Sequence, residues 1–449
     1  MKRIFKFLLN PFSKGDEVLR SMEGRASDQS FWNNVKKQFR KNKLAMFAYR
    51  FIIFLGIIAI LADVLANEKP IICKYEDNIY FPVFREYAID LGLATWQPQL
   101  LNADWKNLRY EWSVFPPVPY LPKNIDVRNA QFKGPFDLQD VKSTHWSHWL
   151  GTDDLGHDVL ACMIHGTRTA MLVGIIAMTI ASIIGIFLGS MAGYFGDEKL
   201  KATRASLIIG GIFFLLGVFY AFGTRSYTLS DSFSGSMMIF LLQFILSLLI
   251  LAGFTIAGIF VAKPFSKIPF LKKKVTIPVD IMISRLFEVM HSIPTLFLII
   301  SISAIVAQPS ITLVMVIIGC TSWPGIARFI RAELLRVRSL EYVEAAKALG
   351  FSEFRIIFKH AIPNALSPVF IAIAFGIASA ILIEASLSFL NVGVPAEELT
   401  WGKLLSMART TPTAWWLAIF PGFGIFITVT IFNLAGDGLT EALDPRLKK

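Results

Sequence analysis

The run EYVEAAKALGFSEFRIIFKHAIPN, Glu341 to Asn364, lies between two strongly apolar segments and decides how the chain is read. Its pattern predicts a short amphipathic helix stopped at Gly350, because glycine suits the left-handed position that ends a helix. Ser352 is placed to cap the helix that follows. Ala345, Ala346 and Ala348 are good helix formers with almost no side chain, so such a helix can approach another backbone closely. Pro363 and Pro368 mark the return to apolar sequence. The segment reads as a helix held under a membrane and offered to a partner. Taken alone, it fits an ordinary amphipathic surface helix equally well.

Composition weighs against a soluble chain. Of 449 residues, 54% are hydrophobic and 17% are charged, below the quarter or so usual for globular proteins. Several apolar runs reach the roughly 20 helical residues that cross a bilayer. The net charge of +11 sits mostly beside those runs. It therefore reads as membrane orientation and not as a nucleic-acid footprint. Cys73, Cys162 and Cys320 make no disulfide framework. Cys73 and Cys162 fall in one predicted outer segment, which leaves both a single bridge and two free thiols open. The start, MKRIFKFLLNPFSKGDE, lacks the apolar core and small-residue site of a signal peptide. It reads as uncleaved, with Ile4, Phe5, Phe7, Leu8 and Leu9 resting on the membrane surface.

The basic flanks fix the expected topology. Residues 1–43 form a cytoplasmic segment ending in Lys36, Lys37, Arg40, Lys41 and Lys43, and 44–66 form the first span. Residues 67–168 make an extracytoplasmic insert, with strand-like pieces at Ile71 to Tyr75 and Ile79 to Phe84. A second span, 169–196, is rich in glycine and alanine, and small faces let membrane helices pack closely. Residues 197–278 form an inserted transmembrane hairpin, two apolar runs joined by Thr224 to Gly235 with lysines at its base. Apolar on all sides, it reads as padding at the lipid-facing rim, with a seat for an accessory subunit as the alternative. The remaining core, 279–449, holds spans at about 280–306, 311–326, 365–390 and 414–434, with a loop from Arg328 to His360. The expected fold is all-α and polytopic, with eight spans and both termini in the cytoplasm.

The segment HWLGTDDLGHDVLACMIHGTRTAM, His148 to Met171, reads physically as an outer turn followed by a membrane-entry helix. His145, His148, His157, His165 and Cys162 gather there, but their spacings fit no tight ligand pattern, and no metal site is expected. Charges within spans invite a functional reading. Asp280, Arg285, Glu288 and His291 fall in the first turns of their span, where Arg285 and Glu288 can pair. Glu384 lies deeper and is the candidate pathway or gate residue. The simpler alternative is a glutamate bonded to a neighbouring helix.

These motifs together resemble the dipeptide, oligopeptide and nickel permeases of ABC importers, in their C-type subunit. Glu344-Ala345-Ala346, Gly350 and Ile362-Pro363 match the EAA loop, at about 341–363. His148, Leu150-Gly151-Thr152-Asp153, Gly156, Asp158-Val159, Gly166 and Arg168 match the outer signature, with His157 where the family usually has arginine. Gly193 to Gly196, Val279-Asp280, Arg285, Pro294, Trp323-Pro324, Arg331, Glu384 to Leu390, Trp401-Gly402 and Leu443 to Arg446 extend the match over most of the chain. Ala66 to Pro70 and Tyr80 to Pro82 resemble the microcin C and oligopeptide permease branch. The hairpin has no counterpart in the family core.

The resemblance implies a six-span core plus the hairpin, working as the transmembrane permease subunit of an importer for peptides or peptide-like compounds. It implies a homologous permease partner, two cytoplasmic ATPase subunits and an extracytoplasmic binding protein, in a bacterial inner membrane. Coupling to the ATPases would fall to Glu344, Ala345, Ala346, Gly350, Ile362 and Pro363. No G-x-x-x-x-G-K-[ST] loop occurs, so no cofactor is expected on this chain, ATP and Mg being used by the ATPase subunits. The alternative, a secondary transporter or channel, would need a midplane charge chain or broken half-helices, and the sequence shows little of either.

Overall fold

A computed structural model describes residues 25–443, apart from Leu91, 98–99, 101–102, Ser236, 306–309 and 396–397. The stretch Ile4 to Leu9 and the residues Asp444 to Arg446 lie outside the described residues. Helix α1 (Arg25–Lys41) leads through Asn42 into α2 (Lys43–Ile60), and the short α3 (Ala62–Leu65) follows. The outer insert then begins. Strands β1 (Ile72–Tyr75) and β2 (Asn78–Tyr80) form a hairpin, α4 (Pro82–Asp90) follows, and β3 (Trp112–Val114) adds to the other edge of β1. Glu76 and Asp77, with φ of 49° and 60°, make the two-residue turn, the geometry that matches the twist of paired strands. The strand-like reading holds for 72–75 and 78–80. Residues 82–84 instead open α4, with Pro82 at its first position.

The bundle is organised around α5 (Val159–Ser190), whose last turns continue as a π-helical stretch, Met191–Phe195. Asp158 caps it, accepting from the Ala161 amide at 2.6 Å. At 1.5 Å per residue α5 is about 48 Å long, longer than the roughly 30 Å hydrocarbon core of a bilayer, and it starts at Val159, well before the predicted residue 169. Its main partner is α12 (Ile311–Val337), described with the core below. A Cβ at Gly189 would stand 2.5 Å from the Ala327 carbonyl oxygen, and one at Gly193 would stand 2.7 Å from that of Arg331. The small-residue seam thus brings the two backbones into contact, the arrangement that holds helices together in lipid.

The inserted hairpin has a built base. Strands β4 (Lys201–Thr203) and β5 (Lys274–Thr276) pair as a ribbon, and the Ile277 amide donates to the Leu200 carbonyl at 2.8 Å. Between them run α6 (Arg204–Val218), with a π-helical end at Phe219–Gly223, then α7 (Ser226–Gly235), α8 (Met237–Phe265) and α9 (Pro269–Lys272). The expected linker at 224–235 is largely helical. Gly258 packs on Phe213 and Gly210, and Tyr220 stacks on Phe254 at 5.3 Å. None of the bundle's hydrophobic clusters contains a described residue from 204 to 273. The hairpin therefore packs on itself and leaves most of its outer side chains exposed.

The core continues with α10 (Val279–Ser292), α11 (Thr295–Ile305) and α12. One straight span from 280 is not what forms: α10 and α11 are bent by 82° at Pro294. Ile293 is extended (φ −102°, ψ 123°), the conformation that a following proline favours. Asp280 meets Arg331, whereas His291 meets Arg328. Those contacts lie about 16 Å apart along α10 but about 4.5 Å apart along α12. Helix α10 therefore crosses α12 steeply, and α11 turns to run up toward Ile311. The sequence shows little sign of a broken helix pair, and one is present here. A second difference concerns the loop expected from Arg328, because α12 stays helical to Val337.

After α12 come α13 (Glu341–Ala348), α14 (Glu353–Ile356), a π-helical turn Ile357–Ala361, α15 (Ile362–Ala365), α16 (Ser367–Phe389), α17 (Trp401–Thr410) and α18 (Trp416–Leu443). Helix α16 packs on α18, α5 and α17, and α18 packs on α2 and α1. Among the described residues seven helices are long and apolar enough to cross a membrane, and eight with the bent pair taken as one span.

Candidate functional site

At the end of the bundle away from the insert, α13 ends in a paired cap. The Gly350 amide donates to the Lys347 carbonyl at 2.9 Å and the Phe351 amide to that of Ala346 at 3.2 Å. Gly350 has φ +75°, the left-handed conformation that such a cap requires. Ser352 caps α14, accepting from the Arg355 amide at 3.4 Å. The capping residues read from the sequence therefore do what was expected.

The faces of α13 differ from the expectation. Val343 and Ala346 are fully buried in the chain's own core, beside Tyr194, Ile330, Leu334 and Ile356. Ala345 is half-buried against the same cluster. The small-residue face is thus occupied internally. What α13 and its neighbours expose is Glu341, Glu344, Ala348, Leu349 and the pair Phe354 and Phe358, whose rings lie 4.4 Å apart. The only sequence signal for that pair was its i, i+4 spacing. Ile362 packs against the core cluster, and Pro363 sits in the first turn of α15. Asn364 donates to the Tyr342 hydroxyl at 3.0 Å and so ties α15 to α13.

Polar contacts connect this unit to the spans. The Tyr194 hydroxyl, in the last turn of the α5 rod, donates to Glu353 of α14. Lys199 sits 3.8 Å over the Tyr194 ring. Arg331 of α12 makes a two-point ion pair with Asp280 of α10, one bond being 2.7 Å. The Ile281 amide donates to Asp197, just past α5, at 3.0 Å. The ends of α5, α10 and α12 and the α13–α14 unit are thus one connected body. Arg285 and Glu288 pair at 2.6 Å on the exposed side of α10.

Glu384 is 3% exposed, and its carboxylate accepts from Ser388 at 2.6 Å. It lies in the seam between α16 and α17, where Gly402 is packed so closely that a Cβ would stand 2.3 Å from the Ala385 carbonyl oxygen. That bond lies within α16, one turn along, so the carboxylate is closed off from open space by its own helix and by the close packing of α17.

At the insert end, the His148 to Asp158 signature folds into a buried knot. His148 is fully buried, with Nδ1 2.7 Å from Asp158 and Nε2 3.3 Å from Asp126. Burial alone would lower its pKa, but the two carboxylates outweigh it and hold the imidazole above its ordinary value. The His148 hydrogen bond in turn lowers Asp126 to about 2. Gly156 has φ +92°, and a Cβ there would strike the Asp126 carbonyl oxygen at 2.2 Å. Trp416 of α18 donates to the Thr152 carbonyl at 3.0 Å and pins the knot to the bundle. His157 bonds Asp153 at 2.7 Å, so the histidine at the family's arginine position is engaged locally. Arg168 donates to the Ala59 carbonyl at 2.8 Å and to Asp63 at 2.6 Å, closing the end of the first span. Among the described residues no group of three His, Cys, Asp or Glu is placed to hold a metal ion, and Cys73 and Cys162 are free thiols.

Comparison with known proteins agrees with this architecture. The family described as binding-protein-dependent transport system inner membrane component matches residues 255–449, and the N-terminal transmembrane domain of oligopeptide transport permease C matches residues 30–82. The chain is similar to the dipeptide transport system permease protein DppC of Alkalihalophilus pseudofirmus, with 30% identity over 302 residues, 67% of this chain and 73% of that protein. It is 25% identical over 413 residues to the inner membrane ABC transporter permease protein YejE of Escherichia coli, 91% of this chain and 95% of that one. The peptidoglycan transport system permease protein YejE of Agrobacterium fabrum is 24% identical over 439 residues, 92% of each. The seven or eight candidate crossings among the described residues, the EAA-type helix seated at the ends of the spans and these matches together place the chain in the binding-protein-dependent transport family of inner-membrane permeases, as a dipeptide/oligopeptide-type permease subunit of an ABC importer.

Proposed function

We propose that the α13–Gly350–α14 unit is the contact through which cytoplasmic ATPase subunits drive this permease. The carrying observation is the Tyr194–Glu353 hydrogen bond with Ala346 buried beside it. A load applied to α13 cannot move that helix without moving the ends of α5 and α12. Glu344 and the exposed Leu349, Phe354 and Phe358 form the docking face. Ala345, Ala346, Ile362 and Pro363 transmit from behind, and Gly350 sets the angle between the two helices. In this reading α13 faces the cytoplasm, the insert faces out, and both termini lie inside, in keeping with the lysines and arginines around the spans.

The full assembly pairs this chain with a homologous permease, two ATPase subunits and an outer binding protein. ATP and Mg are bound by the ATPase subunits. The cargo is a peptide or a peptide-bearing compound, the class that relatives named for dipeptide and peptidoglycan transport have in common. Glu384 is sealed beside the α16–α17 seam in this arrangement and reaches a pathway only if that seam opens.

A cysteine placed at Leu349 in the assembled transporter tests the docking face. It should crosslink to an ATPase subunit, and the bond should block uptake. Free labelling of that cysteine by a bulky reagent, with uptake and ATP turnover unchanged, would remove α13 from the coupling path.

A further inference from the structure

Helix α1 carries Asn33, Lys36, Lys37, Arg40 and Lys41 around one shallow cleft of about 540 Å³. Their spacing, i, i+3, i+4, i+7 and i+8, makes a single stripe along the helix. All five are exposed. The other side of α1 is pinned: Val35 is buried, and Phe39 packs where Gly438 of α18 leaves room for it. Among the described residues none of the four cations pairs with a carboxylate. The nearby Glu441 is taken by Asn42, which donates to it at 2.6 Å. Asn42 also accepts from the Ala45 amide at 3.0 Å and starts α2 at once. The stripe therefore ends one residue from an apolar span whose Leu44, Phe47, Phe54 and Ile57 are all at least half exposed.

We propose that this stripe is a binding site for the phosphate diester of an anionic phospholipid, with phosphatidylglycerol as the probe. The phosphate oxygens accept from the lysine ammoniums and the Arg40 fork, and the Asn33 amide adds a neutral donor. Charge complementarity selects the class, since four cations that form no salt bridge among the described residues match a plane of single negative charges. Continuity selects the source. The cations run directly into the exposed apolar face of a candidate membrane span, whereas the unit that offers exposed aromatic side chains at its tip, α13–α14, packs in a different cluster. Because α1 lies on α18, a bound headgroup would brace the start of the first span against the end of the last.

The full chain, purified from membranes into phosphatidylcholine nanodiscs containing a minor fraction of phosphatidylglycerol, provides the test. Native mass spectrometry should show phosphatidylglycerol enriched on the protein. Replacing Lys36, Lys37, Arg40 and Lys41 by glutamine should reduce that enrichment by at least tenfold, since each cation near an anionic surface contributes on the order of fivefold. A Lys-to-Arg version of the three lysines should keep it, and so should replacement of Lys263, Lys267, Lys272 and Lys273 by glutamine. Enrichment unchanged in the quadruple variant would overturn the proposal. Displacement of the lipid by millimolar inorganic phosphate would assign the stripe to a soluble anion instead. Loss of ATPase subunits from the quadruple variant, with lipid enrichment intact, would assign it to a protein.

Discussion

The Tyr194 hydroxyl donates its hydrogen bond to the Glu353 carboxylate, joining the far end of the longest helix to the segment just past the Gly350 turn. The two residues are 159 positions apart in sequence. A hydrogen bond to a charged group contributes about 1.5–3 kcal/mol. Tyr194→Phe keeps the ring and its contact with Lys199 but removes the link. Cargo imported per ATP hydrolysed should fall by about tenfold, the factor that ~1.4 kcal/mol represents, while the variant inserts and binds ATPase subunits normally. Paired uptake and ATPase measurements in vesicles check this. An unchanged transport ratio would leave Tyr194 with packing alone.

The Gly350 turn gives a sharper separation of roles. With φ +75° and nothing within 4 Å of the missing Cβ, substitution there strains the backbone without clashing. Gly350→Val should cost roughly 1 kcal/mol or more locally and re-aim α14. Glu344→Lys changes only the exposed face. Both should lower coupled uptake with expression preserved. Ala346→Glu should behave differently, because it places a carboxylate in a fully buried site and should reduce the amount of folded protein itself. Protease resistance of the three variants in membranes distinguishes them. Equal loss of folded protein in all three would contradict the assignment of faces.

Much of this was legible in the chain because the signals are local. Apolar length, basic flanks, the Gly350 stop and the Ser352 cap each depend on a few adjacent residues, and the helices formed accordingly. Pro294 was equally local, yet its consequence was not. A proline predicts a bend, but the 82° turn that sends α10 across α12 depends on the Asp280–Arg331 and His291–Arg328 contacts. The direction of Ala346 also escaped, since a small face fits a partner's groove or the chain's own core equally well. Here Tyr194 and Leu334 fill that space. The His148 knot shows the same limit: its motif marks a turn, but only the fold brings Asp126 to the second imidazole nitrogen.

That knot predicts a pH window. His148 is held above its ordinary value, so its stabilising charge is fully present below about pH 6.5 and is lost as pH rises through the higher folded value. Asp126, lowered from 3.8 to about 2, contributes above about pH 4 and loses that contribution as pH falls toward 2; the shift corresponds to on the order of 2 kcal/mol. The insert should therefore be most stable between about pH 4 and 6.5. Lys106 and Asp158 also face this cluster and oppose each other in charge. Amide exchange over residues 151–158 measures the window, and His148→Gln should abolish the loss of protection on the alkaline side. A flat profile above pH 6.5 in the unmodified chain would mean that His148 is held neutral.

The hairpin offers the most direct test of what the core needs. The Ile277 amide donates to the Leu200 carbonyl at 2.8 Å, so the two ends of the inserted segment already touch. Residues 201–276 pack chiefly on themselves, through Gly258 on Phe213, Gly217 on Leu251 and Phe254, and Arg225 on Ser247 at 3.1 Å. Excising 201–276 and joining Leu200 to Ile277 through two or three glycines should therefore leave the α5–α12 seam and the Asp280–Arg331 pair undisturbed. The shortened chain should insert, retain its ATPase subunits and import at no less than about half the original rate. Its thermal midpoint should move by no more than a few degrees, because little buried area between hairpin and core is lost. Uptake in vesicles and co-purification of the ATPase subunits are the measurements. If the shortened chain inserted but released those subunits, the hairpin would belong to the coupling machinery. If it bound them and failed only to import, the hairpin would instead steady the outward half of the cycle, and its unusually exposed apolar surface would then need a protein neighbour in addition to lipid.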